Sequence, residues 1–166
     1  MKKMSLGDKL VNFLKKMNVL TQNVTGFVTA PRYTEEKGRE IFMLAIKEYV
    51  RARALAYARR WAFARNPLFY NFTGVGGDCT NFVSQCVLAG SCVMNYTPDF
   101  GWYYISADDR APAFTGVEFF WDFFTGAPDF AAENGGIGPF GRAVPRGGVE
   151  PGDVVQRGDG TGDFYH

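Results

Sequence analysis

Three cysteines and a single histidine hold all the thiol and imidazole chemistry available to this chain. Cys79 stands inside GGDCTNFVSQC, residues 76–86, where a glycine turn gives way to an apolar-periodic segment. Asp78 is a suitable N-cap residue, and Phe82, Val83, Cys86, Val87 and Ala89 recur as one buried helical face that ends at Gly90. This spacing predicts Cys79 at the first helical position. There the backbone N–H groups and the positive end of the helix dipole favour thiolate, the form that attacks carbonyl carbon. The carboxylate of Asp78 pushes the other way, so activation needs a further partner. An imidazole suits, because it can pair with the thiolate and later protonate a leaving amine. His166, at the end of GDVVQRGDGTGDFYH, is the one histidine. Cys86, two turns along the helix, reads as packing, and an idle, buried Cys79 is the plain alternative.

Other site chemistries fit less well. The odd cysteine count and its spacing match neither a disulfide framework nor paired zinc ligands, so no metal and no cofactor are expected. GVGGDCT lacks the Lys-Ser or Lys-Thr ending of a phosphate-binding loop. Asp159, Thr161 and Asp163 start like a calcium loop without its later glutamate, and a hairpin turn is the better reading. Asp108 and Asp109 read as a solvated turn rather than a glycosidase pair. Eighteen Lys and Arg against seventeen Asp and Glu leave a net charge of +1, which gives no general field for collecting nucleic acid.

With 166 residues, 46% of them hydrophobic, one core and an appendage are expected rather than two full domains. Leu6, Leu10, Phe13, Leu14 and Met17 among lysines predict a short amphipathic helix docked on the core, with membrane-surface attachment as the alternative. Asn18 to Tyr33 reads as linker, so residues 1–33 form the appendage and 34–166 the domain. From Thr34 a long helix is predicted, with Phe42, Ile46, Tyr49, Val50, Ala54, Tyr57, Trp61 and Ala64 on one stripe, glutamates early and arginines late, stopped by Asn66 and Pro67. Arg51, Arg53, Arg59, Arg60 and Arg65 read as its solvated face. Beyond Gly90, short strands and loops with one short helix are expected. GDVVQ reads as a strand, RGDGTGD as a turn and FYH as a returning strand. Helices first and strands last predict an α+β domain. No apolar run is long enough to span a membrane, and Lys15 and Lys16 break the stretch that a signal peptide would need, so a soluble chain is expected, cytoplasmic or exported by another route.

YVRARALAYARRWAFARNPLFYNF, GGDCTNFVSQCVLAG, GWYY, PGDVVQ and the final histidine together resemble the putative amidase domain family, over about Tyr49 to His166. That family is similar to papain-like hydrolases of the NlpC and CHAP types that act on bacterial cell walls. The resemblance implies a papain-like fold with a helix-borne thiol packed against a small antiparallel sheet. It also implies Cys79 as nucleophile, His166 as general base, and a peptide or peptidoglycan fragment as the partner. Val87, Ser91 and Phe114 depart mildly from the family pattern. The chain stops at the histidine where the family continues, which predicts a truncated piece of a longer enzyme, lacking the third catalytic residue. Tyr70 or Asn71 would add a second oxyanion donor beside the Cys79 N–H. The rival from another class is a binding module whose groove is lined by Trp102, Tyr103, Tyr104 and Trp121.

Overall fold

The computed structural model of the protein describes residues 18–21, 26–32, 41–126, 138–158 and 164–165. The expected N-terminal amphipathic helix, the expected turn with Asp159, Thr161 and Asp163, and His166 lie outside these residues. What is described is an α-rich chain with a few strands: β1 Asn18–Thr21, β2 Gly26–Arg32, β3 Ile41–Lys47, α1 Arg51–Trp61, α2 Cys79–Ser91, α3 Pro112–Thr115, α4 Val117–Thr125, β4 Arg142–Ala143 and β5 Val154–Gln156. β1 pairs antiparallel with both β4 and β5, and β2 pairs antiparallel with β3 from Gly26 opposite Lys47 to Arg32 opposite Ile41.

Two expectations are corrected here. The stretch read as linker holds β1 and β2, and the helix expected from Thr34 begins only at Arg51, its early part being β3. The physical reason is the run IFMLAI, which has no polar interruption, so its periodicity fits a buried strand as well as a helix. β2 then supplies a partner along the whole of β3, which decides the matter. The early glutamates therefore do not belong to α1, although Arg59 and Arg60 still sit in its last turn, where positive charge suits the dipole.

Beyond α2, where short strands and loops were expected, the stretch around GWYY forms only isolated bridges. Asn95 pairs with Trp102 and Tyr104 with Arg110. Two helices follow instead of one. In α4 the apolar positions Phe120, Phe123 and Phe124 fall on one face and are buried, and Gly126 closes the helix at φ 67, with its N–H donating to the Asp122 carbonyl. These rings gather about Trp102, which is fully buried. Its ring lies 5.3 Å from Phe114 and 5.1 Å from Phe124, and its indole N–H donates to Ser84 Oγ of α2 at 3.1 Å. Val87 of α2 and Val154 of β5 join the same cluster.

The helix pair is locked at its far end. The Tyr49 ring lies so close to Gly90 that a Cβ there would come within 2.2 Å of it. Gly90 therefore serves close approach and does not stop α2 as expected; the helix runs on to Ser91, and Cys92 caps it at φ 56. The Tyr49 hydroxyl donates to the Gly152 carbonyl at 2.8 Å, and Arg51 pairs with Asp153, whose side chain is fully buried. The PGDVVQ segment is thus tied to the start of α1.

Candidate active site

The glycine turn before α2 is built by backbone conformation. Gly76 and Gly77 sit at φ 98 and 102, a region that side chains disfavour, and the space around both is open. The chain turns sharply there and delivers Cys79 to the first position of α2, where its side chain is exposed. The three thiols are all free and differ in setting. Cys86 is half-buried, and burial pushes its thiol up from 9.0 to about 12. Cys92 is exposed at the helix end, where it accepts a hydrogen bond from Arg53 at 3.4 Å.

Asp78 precedes the helix as expected but does not cap it; its side chain makes no cap hydrogen bond. One oxygen accepts the Phe72 N–H at 3.1 Å and the Asn81 side-chain amide at 2.8 Å, while the other pairs with Arg65. Asn81 also donates to the Tyr70 carbonyl at 3.1 Å. The carboxylate beside Cys79 is therefore held against the preceding loop and matched by a cation. With its oxygens taken by Phe72, Asn81 and Arg65, the carboxylate does not turn to the backbone N–H groups of the first turn.

The buried face of α2 also differs from the expected one. Thr80, Asn81, Ser84, Gln85, Val87, Gly90 and Ser91 are buried, whereas Phe82 and Val83 are half-buried. Polar side chains face inward because α1 and the loop hold matching groups. Asn66 donates to the Tyr57 hydroxyl at 2.8 Å, and that hydroxyl donates to Gln85 Oε1 at 2.7 Å. Burial raises the Tyr57 hydroxyl above its usual value, with the Asn66 bond a smaller opposing influence.

Phe82 turns instead toward a cleft of about 380 Å³ between the end of α1 and the start of α2, bounded by residues 61–65, Asp78, Cys79 and Phe82. A small cavity of about 20 Å³ adjoins it, shared by Tyr70, Asp78, Asn81, Phe82 and Gln85. Of the residues singled out from sequence, Cys79 and Asp78 meet at the cleft, and Tyr70 lines the small cavity. Asn71 lines neither; its side chain accepts the Thr73 N–H at 3.0 Å in a local turn. Trp61, Arg65, Asn81 and Phe82 were not singled out as site residues. One available signal was the three-residue step from Asp78 to Asn81, which puts both on one helical face. The aromatic groove expected of a binding module loses its base, since Trp102 and Tyr104 are core residues and the Tyr104 hydroxyl accepts the Tyr70 N–H at 2.8 Å. Among the described residues no group of three or more His, Cys, Asp or Glu side chains is arranged to hold a metal, and no helix is long and apolar enough to cross a membrane.

A family model described as "Putative amidase domain" matches residues 48–166. The uncharacterized protein YhbB of Bacillus subtilis (strain 168) is 41% identical over 70 residues, which is 42% of this chain and 21% of that protein. The match thus spans about a fifth of the relative's length. No solved structure matches.

Proposed function

The chain belongs to the putative amidase domain family, which points to amide hydrolysis, and from that premise we propose that Cys79 is the nucleophile of a papain-like cysteine amidase. The single observation that carries this reading is the exposed Cys79 thiol at the first position of α2, opening on a cleft, while the Cys86 thiol is held protonated by burial. In the proposed reaction the thiolate adds to the amide carbonyl and the C–N bond breaks. The amine leaves with a proton from the imidazolium, and water then hydrolyses the thioester to carboxylic acid and free thiol. The Cys79 N–H, at a helical position with no acceptor one turn back, is the proposed oxyanion donor.

His166 is the proposed base. In support, the returning strand is paired up to the residue before it: Gly158 bridges Phe164, and the Tyr165 N–H donates to the Arg157 carbonyl at 3.0 Å. Residues 34–166 are proposed as the amidase domain. The substrate class is a peptide amide, of which the peptidoglycan stem peptide implied by the family resemblance is one member. The test is to incubate the full natural chain with peptidoglycan fragments and peptide anilides, quench, and map acyl adducts by mass spectrometry. An adduct on Cys79, with hydrolysis lost in Cys79→Ala, is expected. Hydrolysis that persists in Cys79→Ala overturns the proposal.

A further inference from the structure

We propose that the cleft beside Cys79 is a specificity pocket that takes one bulky, uncharged, apolar side chain from the acyl side of the substrate. The inference rests on thiol attack by Cys79 and goes beyond it by naming what the site selects. Three observations carry it.

The first is the wall. Trp61, Phe63 and Phe82 line the cleft together with two alanines, and Phe63 is 71% exposed. A phenylalanine left that open contrasts with Phe114, Phe120, Phe123 and Phe124, which are at most 1% exposed around Trp102. The second is charge. The ionised groups at the cleft are Arg65 and Asp78, and they pair with each other. Arg65 is held further by Thr73 Oγ1 at 2.6 Å, and Asp78 by the Phe72 N–H and the Asn81 amide. A carboxylate or ammonium entering the cleft would lose water and meet a pair that is already neutral, which is costly. An apolar side chain loses nothing and gains the rings. The third is size. A cleft of about 380 Å³ lies at the lower end of ligand pockets, enough for one large side chain rather than several residues.

The experiment uses the full natural chain and two readouts. In the first, N-acetyl amino-acid amides of Ala, Leu, Phe, Glu and Lys compete with iodoacetamide for Cys79, which needs no turnover. In the second, anilides bearing the same acyl-side residues report kcat/KM. Phe and Leu are expected to protect Cys79 best and to exceed Ala in kcat/KM on the order of tenfold, with Glu and Lys below Ala. Phe63→Ala, whose side chain is mostly in solvent, should shrink the Phe-to-Ala ratio severalfold, and Phe82→Leu should do the same with the helix packing kept. A flat series, a preference for Glu or Lys, or ratios unmoved by both variants overturns the pocket. Absence of protection together with absence of turnover overturns it as well. A flat series with turnover lost in Cys79→Ala sinks the pocket alone. Turnover that survives Cys79→Ala sinks the thiol reading beneath it.

Discussion

Two aromatic regions of this molecule obey opposite rules. Around Trp102 a cluster of rings lies in the interior: Trp102, Phe114, Phe120, Phe123 and Phe124 are at most 1% exposed. Between the end of α1 and the start of α2, Phe63, Leu68, Tyr70 and Val75 are more than half exposed, while Asn81 beside them is 1% exposed. In the first region burial of apolar area stabilises the fold. In the second, apolar groups stay in water and polar groups leave it, which stabilises nothing by itself. A chain accepts such an inversion where the surface is used, and the exposed thiol lies there.

The sharpest way to break this comparison is to remove one group from each region. Cys79→Ala should abolish amide hydrolysis in the full natural chain and leave its urea midpoint nearly unchanged, since an exposed thiol contributes little packing. Trp102→Ala should do the reverse, costing about 3–5 kcal/mol through lost burial and the cavity left behind. If both variants lost the same stability, the distinction between the regions would fail. Phe63→Ala is the control within the second region, with a change of no more than about 0.5 kcal/mol expected.

A smaller effect tests the polar side of the inversion. Asn81 is the bridge between Asp78 and the Tyr70 carbonyl, and its own Oδ1 has no partner among the described protein groups. Asn81→Leu removes both donated bonds and should cost about 1–3 kcal/mol. It should also raise hydrogen exchange at the Phe72 amide, which shares the Asp78 oxygen. An unchanged exchange rate there would mean that the loop is held without Asn81.

The same contrast explains what the sequence could and could not tell. The Cys79 turn was legible because Gly-Gly-Asp before an apolar period is a local signal, and β5 was legible from GDVVQ. The strands β1 to β3 were not, since an unbroken apolar run does not choose between helix and strand until its partner is known. The Arg65–Asp78 pair joins two elements across a loop, and nothing local separates Arg65 from the other arginines of its stretch. The inward face of α2 was misjudged for a related reason. Ser84 and Gln85 are buried because partners on other elements receive them, which hydrophobic patterning cannot register.

The smallest effect concerns Cys86, which shares α2 with Cys79 but sits on its half-buried side. Burial raises its thiol from 9.0 to about 12, so the folded state prefers the neutral form. The sign follows from linkage: this stabilisation is complete below about pH 9 and is lost as pH rises through about 12. The Tyr49 hydroxyl is also raised by burial, with a further push from Cys86, so its contribution runs in the same direction. Cys86→Ala should cost about 1 kcal/mol near pH 8 through lost packing. As pH climbs from 9 toward 12, the gap between variant and wild type should narrow, because only the wild type then carries a buried thiol under pressure to ionise. Urea midpoints at pH 8 and pH 10.5 measure this directly. Midpoints that fall in parallel would show that the Cys86 thiol is solvated in solution, and the contrast between the two faces of α2 would lose its chemical content.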